Sequence, residues 1–147
     1  IIFISSSAFF IFFVFQQNVF AASVSAIIAG AIFSFLFFNW SPASIFMGNN
    51  GSYFLGFLMV VLAIMSSESG RFFYSFIPYL LLGAPILNVF YVFMKRGLQG
   101  KSFFSADRSH FHDDLYKITK SVPKSVLSIC AIHLIFVALG LFLLMLR

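Results

Sequence analysis

Five apolar runs that contain no charged residue are the feature that most constrains what this chain can fold into. They cover residues 1–15, 19–38, 46–65, 72–94 and 126–146. A bilayer core takes about 20 predominantly apolar residues per helix, because a helix pairs its own backbone polar groups, which would otherwise cost several kcal/mol each in lipid. Only 9% of the residues are charged, and the mean hydropathy is +1.04. The sequence therefore predicts an all-α fold, a polytopic transmembrane helix bundle of about five spans.

The ends of the sequence indicate a piece of something longer. The chain has no initiator Met, its first residue already lies in an apolar run, and Arg147 directly follows the last run. The run 1–15 is also short for a span. We therefore expect residues 1–147 to form one membrane-embedded domain that is partial, a fragment of a larger bundle.

The basic residues indicate the orientation in the membrane. Seven of the nine Lys and Arg side chains lie between 95 and 124, at positions 95, 96, 101, 108, 117, 120 and 124. By the positive-inside rule, loop 95–124 is cytoplasmic. Alternation of the spans then places loop 39–50 on the same cytoplasmic face. The loops lack aromatic interleaving and any nucleic-acid-binding motif, so we expect no nucleic acid partner.

A second polar stretch, 39–52, lies at the entry to the third apolar run. Asn49, Asn50 and Ser52 follow one another into the membrane. Polar groups at that depth are tolerated where they are buried in protein or line a water-filled cavity, so we expect these three to face such a space. A helix N-terminus there would favour an anion. The alternative is that the side chains only cap the helix start.

Three residues in the apolar runs attract attention for their chemistry. Asn88 follows Pro85 in the run 72–94, and an intramembrane Asn is more often a hydrogen-bonding contact between helices than a site residue. His133 is alone in the last run, which favours a hydrogen-bonded packing role. Cys130 has no partner cysteine, so the chain can form neither an internal disulfide nor a thiolate metal site.

The loop offers a possible short helix over 107–118. In that conformation an apolar stripe forms at i, i+4 and i+7, made of Phe111, Leu115 and Ile118. Another face collects an imidazole, two carboxylates and an amine, from His110, Asp113, Asp114 and Lys117. Such a cluster could orient a proton carrier, hold a divalent cation or form a solvated surface network. From spacing alone, the solvated network is the favoured interpretation.

Two motifs in the right order carry a family resemblance. Residues 46–57 read FMGNNGSYFLGF, which resembles the FMGDxGSxFLGF signature of the polyprenyl-phosphate N-acetylhexosamine-1-phosphate transferases. Residues 100–113 read GKSFFSADRSHFHD, which is similar to the GKSPFSxDRxHxHH segment of the same family, bacterial glycosyltransferase family 4. Residues 39–42 and 83–96 resemble the flanking pattern, so the resemblance covers most of 30–118. The undecaprenyl-phosphate GlcNAc-1-phosphate transferases are the most similar subgroup.

The resemblance implies an enzyme. It implies transfer of a sugar 1-phosphate, GlcNAc-1-phosphate in this subgroup, from a UDP-sugar to undecaprenyl phosphate with release of UMP. The reaction would use Mg²⁺ or Mn²⁺ at the cytoplasmic face of the bacterial inner membrane and would initiate cell-wall or surface-polysaccharide synthesis. Asn49 would lie at the metal. Substrate-binding roles are implied for Asn50, Ser52, Lys101, Arg108, His110, His112 and Asp113.

The chain departs from the family pattern at four points. Asn49 stands where the family has Asp, and its amide can ligate Mg²⁺ but brings no charge. Asp113 replaces the last His of the second motif, and Asn88 stands where many relatives carry Asp. The adjacent Asp pair that serves the chemistry in this family has no counterpart, so the catalytic residues are expected upstream of Ile1. The fragment alone should then be inactive.

Two other function classes fit part of the sequence. A noncatalytic relative could bind polyprenyl phosphate or a nucleotide sugar without turnover, which Asn49 and Asp113 would explain. A transporter fragment could use a broken helix and intramembrane polar residues. The transporter hypothesis leaves both motifs unexplained.

Overall fold

The structure is a computed structural model, and it describes residues 1–67, 75–100 and 111–146. These residues form helices and no strands. In chain order the seven helices are α1 (Ile2–Phe15), α2 (Val19–Asn39), α3 (Gly48–Ser67), α4 (Ile77–Leu81), α5 (Gly83–Leu98), α6 (Phe111–Thr119) and α7 (Val122–Met145). The predicted all-α bundle is confirmed.

A tight turn joins α1 to α2. Gln17 adopts a left-handed conformation, with φ of 57°, and reverses the chain. Asn18 then caps α2, because its side-chain oxygen accepts a hydrogen bond of 3.1 Å from the backbone N–H of Ala21. The cap satisfies one of the first N–H groups of the helix, which have no partner within it. The two helices consequently pack side by side along their length.

Helix α1 lies at the centre of the bundle, in contact with α2, α3, α4 and α7. Three of its aromatic rings, those of Phe9, Phe12 and Phe13, are fully buried. The facing side of α2 presents small residues, among them Ala21 and Ser25, both fully buried. Small side chains let helix backbones approach closely. In lipid, where no hydrophobic driving force brings helices together, such close packing stabilises their association.

The run 72–94 does not form the single helix that its length predicts. Helix α4 ends at Leu81 and α5 begins at Gly83, with Leu82 at the break between them. Pro85 is the cause, because it has no N–H to donate to the carbonyl of Leu81 and its ring crowds that turn. The regular pattern resumes when Ile86 N–H donates to the carbonyl of Leu82, at 3.1 Å. The continuous span is therefore corrected to a broken helix.

Two glycines let the broken helix pack against α7. A Cβ added at Gly83 would lie 2.5 Å from Cγ of Phe136 on α7, which is closer than real atoms approach. On the other side of the contact, a Cβ at Gly140 would lie 3.2 Å from Cβ of Leu80 on α4. The break is thus packed closely against α7 at two glycines, with no room for a side chain at Gly83 and little room at Gly140.

The surface is that of a membrane protein. Three helices, α2, α3 and α7, are long and apolar enough to cross a bilayer, and α1 is a shorter apolar helix. At most 28% of the most apolar window of each long helix is buried within the protein. Large apolar side chains such as Phe20, Phe37 and Phe57 are more than 60% exposed. Such surfaces are stable in lipid and would aggregate in water.

Candidate functional site

The link between α2 and α3 is folded back on the end of α2. The side-chain amide of Asn39 donates to the carbonyl of Ile45 at 2.9 Å, and Ser44 donates from its hydroxyl to the carbonyl of Phe38 at 2.9 Å. Gly48 has a φ of +67°, which favours glycine, and it starts α3. The first polar motif is therefore a structured turn that enters a helix.

The three polar residues of this motif lie in the first two turns of α3. Asn49, Asn50 and Ser52 are all exposed, and the Ser52 hydroxyl donates to the carbonyl of Gly48 at 2.8 Å. Ser52 also lines a cavity of about 600 Å³ between α1, α3 and α5, whose other lining is almost wholly apolar. Asn49 and Asn50 do not line this cavity.

A cavity of about 620 Å³ brings the two polar stretches to one end of the bundle. Its walls come from α1, α2, α5, α6 and α7, and most of its lining is apolar. Polar side chains enter it from three separate elements, and they are Asn39, Asn88 and His112. Asn39 and His112, about 70 positions apart in the sequence, thus line the same cavity.

Asn88 connects α5 to the start of α6. Its Oδ1 accepts a hydrogen bond of 3.1 Å from the backbone N–H of Phe111. Phe111 is the first residue of α6, where a helix N–H has no partner of its own. The ring of Phe111 also packs edge-on against Tyr91, with centroids 5.4 Å apart. The expected contact between helices is therefore confirmed for Asn88, and its partner is the helix that carries His112.

His112 and Asp113 form a loose pair on α6. Nε2 of His112 lies 3.6 Å from Oδ1 of Asp113, and the two side chains are 58% and 29% exposed. The imidazole can therefore offer a hydrogen bond to a polar group at the cavity.

Asp114 is not part of the solvated surface network that the spacing favoured. Its Oδ2 accepts from the hydroxyl of Tyr91 at 2.6 Å and from the amine of Lys95, both on α5, and its Oδ1 accepts from Lys117 at 2.7 Å. Bonds from Lys117, Lys95 and Tyr91 hold the pKa of this carboxyl well below its usual range. The solvated-network interpretation is therefore wrong for Oδ2, which binds donors of α5 in place of water, whereas the predicted shared face of Asp114 and Lys117 is confirmed by their contact.

Several predicted site residues cannot be placed. Lys101, Arg108 and His110 lie outside the described residues. Within ranges 1–67, 75–100 and 111–146, no group of three His, Cys, Asp or Glu side chains could hold a metal ion. The described part of the chain therefore does not by itself supply the ligands that a divalent cation requires.

His133 is a hydrogen-bonded packing residue, as its isolation in the last apolar run predicts. Its ring is fully buried on α7, and Nδ1 accepts from the backbone N–H of Ala84 at 3.4 Å. Nε2 then carries the proton and donates to the hydroxyl of Ser5 on α1, at 2.8 Å. The ring thus satisfies the N–H that Pro85 and the helix break leave without a helical partner.

Comparison with known proteins supports the resemblance. Residues 1–67 match the glycosyl transferase family 4 model. The chain is 36% identical over 115 residues to the probable undecaprenyl-phosphate N-acetylglucosaminyl 1-phosphate transferase of Bacillus subtilis, covering 78% of this chain and 32% of the relative. It is 35% identical over 116 residues to the undecaprenyl-phosphate alpha-N-acetylglucosaminyl 1-phosphate transferase of Thermotoga maritima, covering 78% and 38%.

A more distant relative has a related description. The decaprenyl-phosphate N-acetylglucosaminephosphotransferase of Mycobacterium tuberculosis is 31% identical over 120 residues, covering 74% of this chain and 30% of the relative. No solved structure matches the chain. The chain spans about a third of the length of these curated relatives.

Proposed function

Because the chain belongs to glycosyl transferase family 4, we propose that it forms part of an enzyme that transfers GlcNAc-1-phosphate from a UDP-sugar to undecaprenyl phosphate. UMP is the second product. The site faces the cytoplasm at the bacterial inner membrane, and the product starts cell-wall or surface-polysaccharide synthesis. The printed names of the relatives support the polyprenyl phosphate acceptor and the N-acetylglucosaminyl phosphate group.

The observation that carries the proposal is the meeting of two family motifs at one end of the bundle. Met47, in the first motif (46–57), and His112, in the second motif (100–113), line one cavity. The donor of this reaction is a water-soluble anion, and the phosphate of the acceptor lies at the bilayer surface. A site for both must lie where the membrane meets water, and a cavity with apolar walls and a polar end suits that place.

The reaction is a phosphoryl transfer between two phosphates. An oxygen of undecaprenyl phosphate attacks the β-phosphorus of the UDP-sugar, and the bond from that phosphorus to the oxygen bridging to the α-phosphorus breaks. The electron pair leaves with UMP. Negative charge grows on the departing phosphate, which cationic side chains stabilise. We assign this role to Lys101 and Arg108, and we place His110, His112 and Asp113 beside the donor.

The family resemblance adds Mg²⁺ or Mn²⁺ to the proposal. When bound, such an ion would neutralise charge on the diphosphate. The described residues do not fit the ion alone, since Asn49 offers an uncharged amide oxygen in an exposed helix turn. The carboxylates that would hold the ion, together with the catalytic residues, are assigned to sequence upstream of Ile1.

The experiment that tests the proposal is an assay of UMP release. The longest protein product that contains this chain is expressed in membranes and supplied with UDP-GlcNAc, undecaprenyl phosphate and Mg²⁺ or Mn²⁺. We expect UMP and undecaprenyl diphosphate-linked GlcNAc in equal amounts, and loss of both in the His112→Ala variant. Absence of both products from wild-type membranes at every metal concentration contradicts the proposal.

A noncatalytic relative is the second candidate, and Asn49 is the observation that favours it. Replacement of a charged ligand by an amide weakens a divalent-cation site. The Asn49→Asp variant distinguishes the two candidates in the same assay. If wild type is inactive and Asn49→Asp releases UMP, the natural chain binds its substrates without turnover. If wild type is active, the amide suffices for catalysis.

A further inference from the structure

We propose that Asp114 is a positioning residue that clasps α6 to α5 and thereby holds His112 at the cavity. This inference rests on the proposed function for the role of His112. Asp114 does not line the cavity, and it lies one position beyond the segment that resembles the family motif. Its effect on the reaction would therefore pass through the placement of the helix.

The contacts of Asp114 with Tyr91 and Lys95 are called the clasp below. On α5, the residues that contact α6 lie along one face of the helix. Asn88, Tyr91 and Lys95 are spaced at i, i+3 and i+7, which places them on successive turns of the same face. Each of them contacts α6. Asn88 receives the Phe111 N–H, Tyr91 contacts the Phe111 ring and the Asp114 carboxylate, and Lys95 binds Asp114.

The carboxylate of Asp114 divides its contacts between two helices. Oδ2 accepts hydrogen bonds from two donors on α5, the Tyr91 hydroxyl at 2.6 Å and the Lys95 amine. Oδ1 accepts from the amine of Lys117, three residues along the same helix, at 2.7 Å. Lys117 is 69% exposed, whereas Asp114 and Lys95 are 24% and 23% exposed. The bonds to α5 are better shielded from water, so they contribute more than the bond to Lys117.

Helix α6 is held from two sides, because it packs against α7 as well as against α5. It has nine residues, and none of its side chains is fully buried. Isolated helices shorter than about 12–15 residues are marginal in water. Besides the clasp, the described polar contact at its far end is a hydrogen bond of 2.7 Å between Thr119 and Ser125. The charged contact near the middle of α6 therefore fixes the side of the helix that faces α5, while α7 supports the other side.

His112 and Asp114 lie on different sides of the same short helix. Two residues along an α-helix are separated by about 200° around its axis. Asp114 binds α5, and His112 lines the cavity. Fixing the Asp114 side against α5 therefore fixes which way His112 faces. Without the clasp, α6 could rotate or detach from α5, and the imidazole of His112 would no longer be held in one position.

The first test measures the helix without any substrate. Amide hydrogen exchange over residues 111–119 is compared for wild type, Asp114→Asn and Tyr91→Phe in the longest product that contains this chain. We expect exchange about tenfold faster in Asp114→Asn, a factor that corresponds to about 1.4 kcal/mol, and a smaller increase in Tyr91→Phe. Lys124→Gln is the matched control, because it removes an exposed charge near α6 and leaves the clasp intact. Wild-type exchange rates in Asp114→Asn overturn the clasp.

The second test asks whether Asp114 acts through His112. The affinity for UDP-GlcNAc is measured in wild type, Asp114→Asn, His112→Ala and the double variant. We expect Asp114→Asn to weaken binding about tenfold on the wild-type background and less than twofold on the His112→Ala background. Equal weakening on both backgrounds overturns the positioning role. Wild type that binds no UDP-GlcNAc, with exchange behaving as expected, contradicts the proposed function and leaves the clasp confirmed.

Discussion

Nε2 of His133 lies 2.8 Å from the hydroxyl oxygen of Ser5, although 128 positions separate the two residues in the sequence. The bond joins α7 to α1 inside the bundle, and both residues are buried. The other ring nitrogen receives the Ala84 N–H at the start of α5. One neutral imidazole therefore links three helices at the point where the fourth apolar run breaks.

Replacing His133 should destabilise the protein more than replacing Ser5. His133→Leu leaves the buried Ala84 N–H and the Ser5 hydroxyl without their partner, which costs about 1–3 kcal/mol. Ser5→Ala leaves a single buried donor, the Nε2–H of His133, without its acceptor, so it should cost less, about 1 kcal/mol. Thermal unfolding in detergent, followed by circular dichroism, measures both. A Tm for His133→Leu equal to wild type contradicts the linking role.

Adding a methyl group at Gly83 should disturb the packing of α5 on α7. The new Cβ would lie 2.5 Å from Cγ of Phe136, so the ring or the helix has to move. Overpacking of this kind costs about 1–3 kcal/mol. Gly30→Ala is the matched control in α2, because no atom lies within 4 Å of its added Cβ. Its Tm should be unchanged or higher, since Ala favours a helix interior over Gly. Equal effects of the two substitutions would argue against close packing at Gly83.

The identity of residue 88 should control the order of α6. Asn88→Leu removes the acceptor for the Phe111 N–H, and loss of a helix cap costs about 1 kcal/mol, which corresponds to roughly fivefold faster amide exchange at the start of α6. Asn88→Asp keeps an acceptor and adds negative charge at a helix N-terminus, which is favourable. Exchange in Asn88→Asp should therefore stay at or below the wild-type rate. Faster exchange in both variants would show that the amide N–H₂ group matters more than the oxygen.

The contact between α5 and α6 should survive mild acid. The folded-state pKa of Asp114 lies below its usual value because Lys117, Lys95 and Tyr91 bind the carboxylate. A lowered folded pKa gives stabilisation that is complete above the unfolded pKa, about 3.9, and is lost as the pH falls toward the folded pKa. Protection of α6 amides, corrected for intrinsic exchange, should thus be constant from pH 7 to about 5 and decline below about 4. Asp114→Asn should lack that decline. A wild-type decline centred near pH 6 would point to another group.

Sequence reasoning located most of the helices because their signals are local. The uncharged runs 19–38 and 46–65 correspond to α2 (Val19–Asn39) and α3 (Gly48–Ser67), within about two residues at each end. The last run, 126–146, becomes α7, which starts four residues earlier because Pro123 is well placed in the first turn of a helix. Length and apolar composition are enough for such assignments, since the bilayer itself sets the length that a span requires.

The candidate site likewise combines features that the sequence shows with features that only the structure shows. The two motifs and the family they resemble can be identified from residue order alone, including the departures at Asn49 and Asp113. The clasp on Asp114 cannot, because i, i+4 spacing shows which residues share a helix face but not which helix covers it. Likewise, the sequence shows a Pro at position 85 and leaves open whether it bends the helix or ends it.

The sequence by itself determined that this protein is an all-α membrane bundle with two polar motifs. The length of an apolar run and the order of the motifs depend only on the order of residues along the chain. Only the tertiary structure decided that α5 starts afresh at Gly83, that Asn88 caps α6, and that His133 bonds to Ser5. Each of these depends on which helix faces stand opposite one another. That choice is made by the packing of distant segments, and no local pattern in the chain encodes it.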